Sequence, residues 1–198
     1  NIEGLKDGIE KVYHLYEVFQ VVNEEKIPCW PGPMTVEEYW NGTCNPENLH
    51  ISSSWCYGNA GVMRGLQKVA SYIGWKEKEQ EHVETMIRFF SQNIKTYDLY
   101  SPSLCHGFSS LVAIQMCAYS SYRNPKLLTN LERHIQKMIA GYRKNNENEL
   151  TLTDIRNKSI LIEGHLKDLS ILTGSVGIAI TLLSLKKTTK TGKLLMID

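Results

Sequence analysis

Cys56, Cys105 and His106 are the side chains of this sequence best suited to chemistry. Thiolate sulfur is a soft ligand and imidazole nitrogen a borderline one, so two cysteines and a histidine form a donor set suited to zinc. They sit in related local patterns: Trp55-Cys56-Tyr57-Gly58 and Leu104-Cys105-His106-Gly107. A third version, Leu172-Thr173-Gly174-Ser175-Val176-Gly177, lacks the ligands but keeps the frame. In each, an apolar residue and one or two variable residues precede a glycine, and the glycine precedes an apolar run. The first glycines are 49 and 67 residues apart, so the three form a degenerate internal repeat. Three protein ligands leave one tetrahedral position open. A closed structural site normally supplies four, so this set points to catalysis.

Elements must bring these loops together, and the apolar spacing says which. Leu5, Ile9, Val12, Tyr16 and Phe19 recur with a helical period and predict an amphipathic helix over roughly 5–22. Val83, Ile87, Phe90, Ile94 and Tyr97 predict another over 77–97, and Leu128, Leu131, Ile135, Met138 and Tyr142 a third over 126–143. Each has a charged opposite face and belongs on the outside of the fold. Between them, Gly61–Ile73, Gly107–Tyr122 and Gly174–Leu185 are apolar or small on nearly every side, as helices buried all round are. The order is outer, inner, repeated, and no segment shows persistent period-two alternation. Residues 23–54 hold four of the six prolines and read as a long loop with a short helix near 35–40. Residues 145–169 are polar at first, with a short packed piece at Ile160-Leu161-Ile162.

Repeated helical hairpins stack into solenoids or close into α/α toroids. We therefore expect one all-α domain over 1–198, built as a partial α/α toroid. A glycine at a buried helix start allows close backbone approach. In a ring of inner helices the equivalent N-terminal ends converge on one face, which brings Cys56 to Cys105 and His106. Nearby helix N-termini favour the thiolate form there.

Composition narrows the function classes. The 22 basic and 21 acidic residues leave a net charge of +1, which gives no support to nucleic-acid binding by bulk electrostatics. No apolar run reaches the ~20 residues of a membrane helix. No secretory signal is visible after Asn1, and five cysteines without a close-spaced disulfide pattern read as reduced thiols in a cytoplasmic protein.

Together, Ser54-Trp55-Cys56-Tyr57-Gly58, Leu104-Cys105-His106-Gly107 and Leu172-Thr173-Gly174-Ser175-Val176-Gly177-Ile178-Ala179 resemble the LanC family of lantibiotic cyclases. Val36-Glu37-Glu38-Tyr39-Trp40 and Asn45-Pro46-Glu47-Asn48-Leu49 are similar to the loop before that family's first zinc cysteine. The resemblance covers essentially the whole chain. It implies that Cys56, Cys105 and His106 are zinc ligands and that Tyr57 stands beside the metal. It implies thioether ring formation in a dehydrated lantibiotic precursor peptide: a zinc-bound peptide thiolate adds to the β-carbon of dehydroalanine or dehydrobutyrine, and an acid protonates the α-carbon. It also implies a dehydratase as partner and a place in a biosynthetic complex peripheral to the membrane.

The sequence departs from the family in two places. Ser52 stands where members commonly carry an arginine, and the family's upstream acid/base histidine and aspartate have no counterpart. With three inner helices against the family's seven, the chain resembles the C-terminal half of a cyclase. Its apolar edges call for a partner, by self-association or with a separate N-terminal half. The alternative functions are a LanC-like zinc protein that binds glutathione or another thiol without cyclisation, and a structural zinc fold with no turnover.

Other residues carry smaller expectations. His165 precedes the third glycine motif and is a catalytic candidate beside Tyr57. His50 reads as a solvated loop residue. His14, His82 and His134 read as structural or surface residues of the outer helices, Cys29 and Cys44 as free thiols flanking a loop, and Cys117 as core. Lys186, Lys187 and Lys190 follow a helix C-terminus, where cations are favoured.

Overall fold

The structure is a computed structural model. It describes residues 2–45, 52–140, 142–144, 150–157, 160–165, 169–186, 193, 195 and 197, with 142–165 described by backbone alone. It is a mainly α-helical fold. Helix α1 spans Leu5–Val18, and a two-residue antiparallel pair, β1 (Val21–Val22) with β2 (Pro28–Cys29), follows. Helix α2, Val36–Asn41, is the short helix expected near 35–40. It starts in a capping box: Thr35 accepts from the Glu38 N–H, and the Glu38 carboxylate accepts from the Thr35 N–H.

The two ligand motifs each lead into a helical hairpin. Helix α3 (Asn59–Ile73) is followed by α4 (Lys76–Phe90), and α5 (Phe108–Tyr122) by α6 (Leu131–Ala140). Gly74 ends α3 with φ 89°, and its N–H reaches the Ala70 carbonyl. That left-handed turn is open to glycine at little cost and sends the chain back along α3. The last helix, α7, spans Ser175–Ser184. Helix α3 packs on α4 and α5 on α6, while α5 also packs on α3 and on α7. The helices expected to be inner thus form a row, α3–α5–α7, with α4 and α6 outside it.

Sequence accounts for that arrangement. Nine of the fifteen residues of α5 are buried, from Phe108 through Gln115 and Ala118, as its lack of a polar face requires. Helix α4 is charged on one side and buries Val83, Met86, Phe89 and Phe90. With Tyr97, Leu104, Leu111, Ile114, Leu127 and Met138, these side chains form one contiguous core. Each fully buried large apolar side chain contributes roughly 1.5–3 kcal/mol.

Two expectations need correction, in the lengths of the outer helices and in the region 142–165, and α1 adds a feature its period does not show. The outer helices are shorter than the apolar period suggests: 94–97 and 125–128 are separate 3-10 turns. The apolar stripe of α1 is largely uncovered, with Leu5 44 % and Val12 56 % exposed; within the helix Tyr13 alone is buried. Alongside the α1–α3 contact, part of this stripe faces α3 across a groove of about 760 Å3. Finally, the region 142–165 holds a three-stranded antiparallel sheet, β3 (Tyr142–Lys144), β4 (Leu150–Asn157) and β5 (Ile160–His165). The packed piece expected at 160–162 is part of β5.

Candidate metal centre

The ligand loops are built the same way twice. Before α3 the chain folds back so that the Asn59 N–H donates to the Ser52 carbonyl at 2.9 Å. Before α5 the Phe108 N–H donates to the Ser101 carbonyl at 2.9 Å. Only glycine fits the intervening positions. A Cβ on Gly58 would lie 2.2 Å from Ser54 N, and one on Gly107 would lie 2.1 Å from Ser101 O. The third motif repeats the device three residues further on: a Cβ on Gly61 or on Gly177 would meet the carbonyl oxygen six residues earlier at 1.8 Å. The repeat glycines are therefore demanded by space rather than by backbone angle. They hold residues 55–57 and 104–106 in tight loops against the helix starts.

The loops meet as expected. Cys56 Sγ, Cys105 Sγ and a ring nitrogen of His106 all lie within 4.8 Å of one another. Cys56 Sγ is 3.2 Å from His106 Nδ1 and 3.9 Å from Nε2. Tetrahedral zinc, with bonds of roughly 2.3 Å to sulfur and 2.0 Å to nitrogen, places its sulfur and nitrogen ligands about 3.5 Å apart. Either ring nitrogen alone could serve as the nitrogen ligand, each lying within about 0.4 Å of that separation, so the donor set is compatible in type and spacing with a metal ion such as zinc. Cys105 is buried, His106 half-buried and Cys56 exposed, so the cluster opens to solvent on the Cys56 side. Tyr57 stands at this rim, 58 % exposed, with its ring centroid 4.9 Å from that of His106. The Cys105 N–H donates to the Leu172 carbonyl at 2.8 Å, so the third motif braces the second.

Electrostatics corrects one expectation. Desolvation, and then the neighbouring Cys105 thiol, push the Cys56 thiol up to about 12, against the direction expected of helix N-termini. Two adjacent thiols resist joint ionisation unless a cation compensates the charge. A divalent metal does so, and a coordinated thiol is deprotonated outright.

The remaining candidates fall elsewhere. His165 lies on β5 opposite Thr151. His50, Lys187 and Lys190 lie outside the described residues. His14 is exposed and 2.6 Å from Glu17, while His82 meets the Tyr13 hydroxyl at 2.6 Å. His134 is buried in the core. Cys29 is buried and donates to the Ile27 carbonyl, and Cys44 reaches the Asn45 carbonyl. Among the described residues, Cys56, Cys105 and His106 are the one group of three or more metal-ligating side chains this close together.

Arg64 carries no expectation from the sequence reading, yet it is 1 % exposed. Its guanidinium donates to Gln67 Oε1 and, at 3.1 Å, to the Ser121 hydroxyl, linking α3 to α5. The available signal was an arginine within an otherwise mostly apolar inner helix.

The groove between α1 and α3 is lined by Val12, Tyr16, Val62 and Val69, and also by Trp55 and Cys56. Cys56 thus contributes to the wall of a largely apolar trough. The family model described as lanthionine synthetase C-like protein matches residues 1–196. No curated protein matches the chain significantly.

Proposed function

This chain belongs to the lanthionine synthetase C-like family, and we propose that Cys56, Cys105 and His106 hold zinc for thioether ring formation in a dehydrated lantibiotic precursor peptide. The observation that carries the reading is the convergence of the three donor atoms within 4.8 Å at an open mouth. When bound, zinc supplies Lewis acidity that lowers the pKa of a peptide thiol into the neutral range. Cys56 and Cys105 as thiolates and His106 as neutral imidazole match its charge, which favours retention of the ion.

The ring-forming reaction is an isomerisation. A peptide sulfur bonds to the β-carbon of a dehydroalanine or dehydrobutyrine, and the π pair of the double bond moves toward the α-carbon. That carbon then takes up a proton, replacing the one lost by the thiol. The groove that Cys56 helps to line offers apolar walls to the peptide residues flanking the reacting cysteine. Tyr57, exposed at the rim beside His106, is our candidate for handling the α-carbon proton. His165, which precedes the third glycine motif in sequence, is the second candidate.

We read the row α3–α5–α7 as the inner side of a partial α/α toroid. The uncovered stripe of α1 calls for a further surface, from a second copy or an N-terminal half, and a dehydratase supplies the dehydrated peptide. Among the described residues, no helix is long and apolar enough to cross a membrane; the reading places the chain in the cytoplasm, alongside a biosynthetic complex.

The test is metal analysis of the chain beside Cys105→Ala, followed by incubation with a dehydrated cysteine-containing peptide. We expect about one zinc per chain, lost in the variant. Ring closure leaves mass unchanged, so it is read as the disappearance of alkylatable peptide thiol. A metal-free parent protein sinks the centre. A zinc protein that binds glutathione at the metal yet consumes no peptide thiol supports the alternative of thiol binding without cyclisation.

A further inference from the structure

We propose that Leu195 and Ile197 act as a strap that positions the Cys56 loop for metal binding. The strap is gripped through its backbone. The Trp55 indole N–H donates to the Leu195 carbonyl at 3.1 Å, and Arg64 Nε donates to the Ile197 carbonyl at 2.7 Å. Leu195 and Ile197 are 2 % and 3 % exposed and belong to the same core cluster as Met63, Leu104 and Ile178. Removing the strap leaves an indole N–H and a guanidinium N–H without those acceptors, and a buried donor without a partner is costly.

The link to the metal centre is the peptide unit between Trp55 and Cys56. Its carbonyl oxygen lies against the start of α3, where a Cβ on Gly61 would come within 1.8 Å of it. The indole of the same Trp55 is tied to the strap on another side. The residue before the ligand is thus clamped at both its backbone and its side chain, which fixes where the chain delivers Cys56. Arg64 extends the tie. It joins the strap to α3 and, through Ser121, to α5, and these are the helices that follow the two ligand loops. The strap therefore bears on the spacing between Cys56 and the Cys105–His106 pair. Neither Trp55 nor Arg64 belongs to the donor set, so both act as positioning residues. Supporting contacts of this kind orient ligands and govern metal affinity.

The inference rests on the reading of Cys56, Cys105 and His106 as a metal centre. The experiment titrates the full metal-free chain with Co(II), followed by thiolate-to-metal charge-transfer absorption. It compares the parent with Trp55→Phe, which deletes the indole N–H but keeps an aromatic ring, and with Ile197→Asp, which ejects the strap from the core. Ile197→Val serves as the conservative control. We expect Co(II) affinity to fall about tenfold or more in the first two variants and to stay at the parent value in the third. Helical circular dichroism should be retained, and the metal-free variants should lose Cys56 thiol to iodoacetamide at a changed rate. Parent-like Co(II) affinity in both Trp55→Phe and Ile197→Asp overturns the proposal. If Ile197→Asp does not fold, Trp55→Phe decides alone. A parent that binds Co(II) as tightly as its variants removes the strap and leaves the metal centre standing. A parent that binds no Co(II) removes both.

Discussion

His134 makes the stability of this protein sensitive to mild acid. Its ring is fully buried, 5.0 Å from the Tyr97 ring and 6.2 Å from that of Phe108. The hydrogen bonds of Gln115 determine its tautomer. The Gln115 amide nitrogen donates to the Leu127 and Thr129 carbonyls, both at 2.9 Å, which turns Gln115 Oε1 toward His134 Nδ1 at 2.7 Å. Oε1 can only accept, so Nδ1 carries the proton. Nε2 is then a buried acceptor without a partner among the described residues. Protonating it puts a charge into an aromatic pocket, and burial accordingly pushes the imidazole down from 6.5 to about 4. That fall corresponds to about 3 kcal/mol between the two protonation states. Because the unfolded chain takes the proton more readily, the contribution is complete above about pH 6.5 and is lost as pH falls toward about 4. Urea unfolding followed by circular dichroism from pH 7 to pH 4 should show this loss in the parent. His134→Asn keeps an N–H donor and removes the titration. It should be less stable at neutral pH but lose about 3 kcal/mol less over the same interval. His82, also lowered by burial, and the carboxylates of Glu17 and Glu79, lowered by hydrogen bonds, titrate in both proteins and cancel in the difference. Parallel curves for parent and variant would falsify the account.

Three other outcomes are expected. Gly107→Ala places a Cβ 2.1 Å from the Ser101 oxygen, so it should cost about 1–3 kcal/mol in urea unfolding and drop the zinc content below that of the parent. Zinc that binds the folded chain alone raises its melting temperature by mass action, so a chelator should lower that temperature in the parent and leave Cys105→Ala unmoved. The uncovered α1 stripe should drive self-association, and light scattering that finds a clean monomer at tens of micromolar counts against it.

The convergence of Cys56, Cys105 and His106 was largely legible in the sequence because the repeat encodes it. A glycine that must sit under a carbonyl marks the helix start, and equivalent starts converge, so Cys56 could be placed beside Cys105 and His106 across 49 residues. The inner helices were legible for the same reason, together with their lack of a polar face. The outer amphipathic helix α1 was legible, but the exposure of its stripe was not, because an apolar stripe shows which face seeks cover and not whether cover is present. The sheet of β3, β4 and β5 was missed because Asp154 breaks the alternation begun by Leu150 and Leu152, and Leu161 breaks that of Ile160 and Ile162. Arg64 was missed because its role is defined by a carbonyl 133 residues away, and no local pattern carries that contact.

The strap also has a consequence for the order in which the chain folds. The hairpin of α3 and α4 turns within residues 74–75, so its contacts are local and form without a long loop to close. The contacts of Trp55 with Leu195 and of Arg64 with Ile197 span 140 and 133 residues and bear the largest closure entropy. Helical hairpins should therefore assemble first and these ties last. In native-state hydrogen exchange the Trp55 indole proton should be released by a smaller opening than the amides of α5. A nascent chain would thus hold its ligand loops loosely until the fold is nearly whole, and metal capture would report completion rather than guide it.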